Sequence, residues 1–222
     1  MKKSHPTILL IRHGETQWNV EGRLQGWQDA PLTLNGFRQI CAVGENLRKI
    51  HGDLRNEGDI AYHTSTLGRA RQTASILADM WAGRFDKFDA DSALVERSYG
   101  AWEGLSLAEV AKHRAEEFAL HQNDPWNYQV PGGESKSQVL LRIKTWLNDL
   151  SINKTHVVVT HSGCFRLIRG LYAGASREEM DCYREPQTTS YLLRSGKSIE
   201  LTMPEILTEQ FKLNGNALTV HI

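Results

Sequence analysis

The sequence predicts an α/β fold: a three-layer αβα sandwich with a largely parallel central sheet and a small inserted lid segment over about residues 105–131. Two short apolar, β-branched runs, residues 7–11 and 156–160, read as strands buried on both faces, as in a parallel sheet. Stretches of helical periodicity separate the strand-like runs, the alternation expected of an α/β sandwich. A histidine follows each of these two strands, His13 and His161, and ligands of open α/β sheets bind beyond the carboxyl ends of strands.

Taken in order, the first strand ends at a Gly- and Asn-rich loop. Phe37, Ile40, Val43, Leu47 and Ile50 then recur at helical spacing, with Gly52 as the predicted stop. Residues 60–62 suggest a strand. Leu67, Ala70, Ala74, Leu77 and Trp81 line one face of the next helix, with Gly83 behind it, which puts Arg69 in the first turn. Ser106 and Glu109 form a capping box for a helix to about residue 121, and residues 123–133 are turn-rich. Val139, Leu140, Ile143, Trp146, Leu147 and Leu150 mark another helix ahead of the second apolar strand. Residues 191–193 and 199–202 pair as late strands of unassigned register, and the tail after Pro204 carries no pattern. With no repeat or linker, residues 1–222 are expected to form one domain.

Charge balance narrows the partners. Lys and Arg number 26, as do Asp and Glu, so any anion is bound by local basic clustering, and neither nucleic acid nor an anionic membrane is an expected partner. Cys41, Cys164 and Cys182 contain no CxxC pair and make a poor disulfide framework, which points to an intracellular protein. The apolar run 8–11 is too short for a signal peptide, and no stretch approaches the roughly 20 apolar residues of a bilayer span. A cytoplasmic location is expected. His5, His51, His63, His113, His121, His156 and His221 lack metal-ligand spacing, so neither metal nor cofactor is expected.

The chemistry concentrates in Leu9-Leu10-Ile11-Arg12-His13-Gly14-Glu15-Thr16, where a cation, an imidazole and a glycine leave a buried strand in succession. A neutral imidazole can attack phosphorus, and a covalent intermediate splits one hard step into two easier ones. Arg12 offers a planar fork of donors to phosphoryl oxygens, and Gly14 lets the backbone approach closely. Alone, the tripeptide is a weak signal. Four further segments accompany it: Ser65-Thr66-Leu67-Gly68-Arg69-Ala70-Arg71-Gln72-Thr73-Ala74, residues 94–104 around Glu96-Arg97-Ser98-Tyr99-Gly100, Gly132-Gly133-Glu134-Ser135, and Val157-Val158-Val159-Thr160-His161-Ser162-Gly163. In this order the five segments resemble the histidine phosphatase superfamily, also called phosphoglycerate-mutase-like.

The resemblance implies that His13 is the nucleophile, that Arg12, Arg69 and His161 gather the phosphoryl oxygens, and that Glu96 protonates the leaving group and then activates water. Elementary chemistry agrees, since phosphoryl transfer depends mostly on positioned donors and positive charge, and an alkoxide leaves poorly without a proton. Asn19 can donate its amide to the phosphate, and free backbone N–H groups at Ser162 and Gly163 suit an anion. Gln25, Gly26 and Tyr99 are the expected substrate contacts. Glu15 and Glu103 are expected to hold loops. Arg71, two residues beyond Arg69, faces another side of the helix. Trp126 and Tyr128 either contact substrate or pack the insertion.

The superfamily includes hydrolases and cofactor-dependent phosphoglycerate mutases. Its mutases carry a long insertion with paired basic residues, whereas residues 105–131 have Lys112, His113 and Arg114 and no arginine pair. Water is therefore the expected acceptor, and the reading is a metal-independent phosphatase acting on a small phosphomonoester. A mutase is the alternative, and a non-catalytic phosphate-ester-binding protein the second. A homodimer is compatible with a chain of this size.

Overall fold

The computed structural model describes residues 5–81 and 83–212, so His221 and the end of the tail lie outside the described residues. The chain runs β1 (Thr7–Arg12), α1 (Gln17–Val20), α2 (Leu34–Glu57), β2 (Ile60–Ser65), α3 (Gly68–Met80) and β3 (Phe88–Asp91). It continues through α4 (Leu107–His113), α5 (Ala115–Asn123), α6 (Lys136–Asp149), β4 (Thr155–Thr160) and α7 (Ser162–Ala173). Next come α8 (Arg177–Cys182), β5 (Ser190–Arg194), β6 (Lys197–Leu201) and α9 (Glu205–Gln210).

Six strands form a mixed, mostly parallel sheet in the order β3-β2-β4-β1-β5-β6. β1, β2, β3 and β4 pair in parallel, and β5 and β6 close one edge antiparallel. Alternation along the central strands sorts the core into two layers. Leu9, Ile11, Val157 and Val159 pack on Ile40, Val43 and Leu47 of α2 and on Ala70, Ala74 and Leu77 of α3. Ile8, Leu10 and Val158 meet Val139, Ile143 and Trp146 of α6 and Phe165 and Ile168 of α7 on the other face. This is the expected sandwich.

Two helix boundaries differ from expectation. α2 passes through Gly52 and ends at Gly58, because Leu54 continues the apolar stripe and is buried beyond the glycine. A glycine within a helix costs about 1 kcal/mol against alanine, which packing outweighs. The capping box at Ser106 is present, but the helix breaks at Arg114, whose φ of −138° and ψ of 45° leave the helical region. α4 and α5 together with residues 124–133 cover a third apolar cluster of Leu24, Trp102, Val110 and Val130. Residues 190–194 and 197–201 pair as late strands, with Ser195 and Gly196 at positive φ in the turn. β3 went unrecognised because Phe-Asp-Ala-Asp has neither an apolar run nor β-branched residues. Among the described residues no helix is long and apolar enough to cross a membrane.

Candidate active site

The sheet brings the two histidines together. Arg12 is in register with Thr160, and the His13 N–H donates to the Thr160 carbonyl at 3.0 Å, so the chain leaves β1 and β4 side by side. The imidazole centroids lie 5.1 Å apart at 56°. His13 Nδ1 is 2.7 Å from the Gly14 carbonyl oxygen. A carbonyl only accepts, so Nδ1 carries the proton and Nε2 keeps the lone pair. Burial, then the charges of Arg69 and Arg12, push His13 well below the usual histidine range, and it is neutral at pH 7. His161 is lowered by burial, Arg69 and His13 in the same way. Its Nε2 lies 2.7 Å from Ser65 Oγ, which accepts the Leu67 N–H, while its buried Nδ1 has no partner among the described residues.

Two arginines flank the pair. Arg12 ends β1, donates to the Glu185 carbonyl, and keeps a buried Nε without a partner among the described residues. Burial first, and Arg166 second, lower it to about 10, so it stays charged at neutral pH. Arg69, in the first turn of α3 and 1% exposed, donates to the Gln28 and Gly26 carbonyls and to Asp29 Oδ1, each at 2.8 Å. It therefore binds the 25–29 loop while lining the pocket, with Nε unpartnered among the described residues. Arg71 lies instead over the Phe85 ring at 5.7 Å.

The loop after β1 is held from several sides. Glu15 accepts from Thr33 Oγ1 at 2.6 Å and Asn35 Nδ2 at 3.1 Å, which anchors the start of α2. Gly14 is packed closely against α2, where a Cβ would lie 2.7 Å from the Gly36 carbonyl. Asn19 closes a capping box with Thr16 through Oδ1, so its Nδ2 donors are the end not used in that cap, and the residue lines the pocket. Gln25 donates to Thr16 Oγ1 at 2.7 Å. Gly26, at a φ of +53°, leaves room for Glu103, which accepts from the N–H groups of Trp27, Gln28 and Tyr99.

Glu96 faces the same pocket, 9% exposed. Its Oε1 accepts the Arg97 N–H at 2.8 Å and its Oε2 the Gly163 N–H at 3.1 Å. The expectation of a free N–H at Gly163 is thereby corrected: this donor at the start of α7 holds the Glu96 carboxylate. A Cβ on Gly163 would collide with that carboxylate. Ser162 lines the pocket with its Oγ accepting from Arg166 at 3.1 Å. Behind Glu96, Arg142 of α6 binds both Glu134 oxygens at 3.0 Å and donates to the carbonyls of Ala93 and Glu96. Glu134 in turn accepts the Ser98 N–H at 3.0 Å. One ion pair thus pins residues 93–98 from two directions.

Sequence reasoning missed part of the wall. Arg97, to which the sequence assigns no role, is 3% exposed and lies over the Tyr99 ring at 4.4 Å. Its three guanidinium nitrogens are buried, and the Tyr99 side chain is their polar neighbour. Arg166 of α7 and the Lys136–Asp181 pair, 2.9 Å apart, complete that side. Trp126 also lines the pocket and donates from Nε1 to Asp181 at 2.8 Å, whereas Tyr128 packs in the third cluster. The position of Arg97 beside Glu96 was the available signal; its inward direction is a tertiary property.

An α/β sandwich with two neutral histidines between arginines at adjacent strand ends defines a phosphoryl-transfer class of site. Residues 8–198 match the histidine phosphatase superfamily (branch 1), and the chain belongs to that family. It is 33% identical over 180 residues to a 2,3-bisphosphoglycerate-dependent phosphoglycerate mutase of Mesorhizobium japonicum, covering 78% of this chain and 84% of that one. It is 29% identical over 172 residues to fructose-2,6-bisphosphatase of Saccharomyces cerevisiae, covering 78% of this chain but only 35% of that longer protein. The structure of Bacillus stearothermophilus YhfR superposes with a TM-score of 0.70 at 28% identity, over 84% of this chain and 90% of that one. Phosphatases and mutases both stand among the relatives.

Proposed function

We propose that the protein is a phosphomonoester hydrolase that works through a phosphohistidine on His13, and that water is its acceptor. The observation that carries the reading is the fixed tautomer of His13: Nδ1 is tied to a carbonyl and Nε2 holds a lone pair in a cationic pocket. Nε2 attacks phosphorus as the P–O ester bond breaks. Arg12, Arg69, Asn19 and a Ser162 donor hold the phosphoryl oxygens, and His161 donates from Nδ1, with Ser65 O–H satisfying its Nε2. Glu96 gives its proton to the departing alkoxide, then takes one from the water that cleaves the P–N bond, so His13 returns neutral. Gln25, Gly26 and Tyr99 border the leaving group.

No step of this cycle calls on a metal, because cationic side chains supply the charge. The chain acts as one domain, with residues 105–131 as a lid over the leaving-group side, in the cytoplasm, as monomer or homodimer. A mutase is the second reading, favoured by the relationship to phosphoglycerate mutases. Phosphate release in EDTA from a panel of phosphomonoesters, including 3-phosphoglycerate with and without 2,3-bisphosphoglycerate, tests both. Release supports the hydrolase. Isomerisation that requires the bisphosphate, without release, overturns it in favour of the mutase, and strict dependence on a divalent ion defeats the metal-independent cycle.

A further inference from the structure

Arg12 and Asn19 share a support that the proposed cycle leaves unexplained. Residues 183–189 lead from α8 into β5, and β5 pairs with β1 as far as Ile11 and Ser190, so this segment passes the carboxyl end of β1 where Arg12 stands. Arg12 Nη1 donates to the Glu185 carbonyl. Two residues on, the buried Gln187 donates from Nε2 to Asn19 Oδ1 at 3.4 Å, the oxygen that also accepts the Thr16 N–H.

The segment has an anchor of its own. Glu185 is fully buried, and its Oε1 pairs with Arg169 of α7 at 3.2 Å. The Arg169 guanidinium lies 3.9 Å from the centroid of the Tyr183 ring and 4.1 Å from that of Tyr191, and its Nε donates to Ser198 Oγ at 3.2 Å. Tyr191 is fixed in turn by its hydroxyl, which donates to Glu200 Oε2 at 2.8 Å. A carboxyl so far from water is costly to keep without a partner, and Arg169 is the largest charge that opposes the effect of burial on Glu185. Arg169, Glu185 and Gln187 lie outside the lining of the pocket, so none of them touches substrate.

We infer that Arg169, Glu185 and Gln187 are positioning residues of the phosphoryl clamp: the Arg169–Glu185 pair sets the carbonyl that aims the Arg12 fork, and Gln187 sets the amide of Asn19. The inference rests on the phosphoryl-binding part of the hydrolase reading above. Phosphoryl transfer depends on donors held in place, and a displacement of about 1 Å can cost on the order of 10²-fold. Donors aimed at the transition state lose most on the species that resembles it. Loosening the segment is therefore expected to weaken a pentacoordinate phosphoryl mimic such as orthovanadate more than inorganic phosphate.

The test compares the wild type with Gln187→Leu, Arg169→Gln and Arg169→Lys, reading kcat and KM for nitrophenyl phosphate and the calorimetric Kd of orthovanadate and of inorganic phosphate. Gln187→Leu and Arg169→Gln are each expected to lower kcat about tenfold or more and to raise the vanadate Kd by a similar factor, while KM and the phosphate Kd stay within about threefold. Arg169→Lys, which keeps the charge, is expected to recover part of the loss. A variant that merely unfolds in part loses active fraction without moving the vanadate Kd, so that constant separates positioning from stability. An unchanged vanadate Kd in folded Gln187→Leu and folded Arg169→Gln overturns the inference and leaves the hydrolase reading intact. If Arg169→Gln does not fold, because a buried partner is lost, an unchanged vanadate Kd in Gln187→Leu and Arg169→Lys overturns it instead. No phosphate release by the wild type overturns the hydrolase reading alone, since the anion affinities still report the clamp; a wild type that binds neither anion overturns both.

Discussion

At the scale of single residues, the site depends on which atoms are already occupied. His13 presents Nε2 because Nδ1 is spent on the Gly14 carbonyl, and burial beside two arginines keeps the ring neutral. In the proposed cycle attack requires neutral His13, and its proton affinity lies well below the ordinary 6.5, so the acid limb of kcat/KM is expected well below pH 6.5 once the substrate phosphate's own ionisation, about 6, is allowed for. An enzyme-borne limb near 6.5 would contradict the neutral buried ring. Glu96→Gln keeps the shape and removes the proton, so its loss is expected to be larger, by roughly 10²-fold, for alkyl than for nitrophenyl esters. Equal losses would take the acid role away from Glu96. His13, Arg12, Arg69 and His161 were named from the resemblance of the five segments to the family, and the apolar and helical patterns add only that they fall at strand ends and in the first turn of a helix. The use of Gly163 N–H to hold Glu96, and the crowding of Gly14 by Gly36, were not, because each depends on a backbone approach from a distant segment.

At the scale of elements, the arrangement turns on how α6 addresses the 93–98 segment. Arg142 pairs with Glu134, itself bound to the Ser98 N–H, and reaches the carbonyls on both sides of the acid-bearing turn. Both partners are about four-fifths buried, so breaking the pair leaves a charge inadequately matched. Arg142→Met is expected to cost about 2 kcal/mol of stability and to lower kcat more than it raises KM, as measured by thermal unfolding and steady-state kinetics. A stable variant with unchanged kcat would show that the turn holds itself. Periodicity located α2, α3 and α6 well, since each buries one apolar stripe. It could not see the break at Arg114, where backbone angles rather than hydrophobicity end the helix.

At the scale of the whole molecule, histidine burial couples stability to pH. His13, His161, His51, His63, His121 and His156 are all depressed in the folded state, with His51, His63 and His121 at about 4, burial being the largest cause in each. Below about 6.5 the unfolded chain takes up protons that the folded chain refuses, so stability falls as pH drops from 6.5 towards 4. Glu185, raised to about 7 by burial, works in the opposite sense over the same range, but one carboxyl faces several imidazoles. The urea midpoint is expected to be lower at pH 5 than at pH 7; a flat or inverted profile would contradict the balance. Sequence pattern anticipated the sandwich, because buried parallel strands are apolar throughout, and it put His13 and His161 at the ends of those strands, whereas the wall of the pocket is assembled by tertiary contacts.

The most direct test of the central claim is rapid-quench trapping with a ³²P-labelled phosphomonoester that the enzyme turns over. The account predicts an acid-labile, alkali-stable phosphoprotein formed at the turnover rate or faster, with the label on the peptide that contains His13 and no label in folded His13→Ala. Turnover without such a species, or label that persists in His13→Ala, would contradict it.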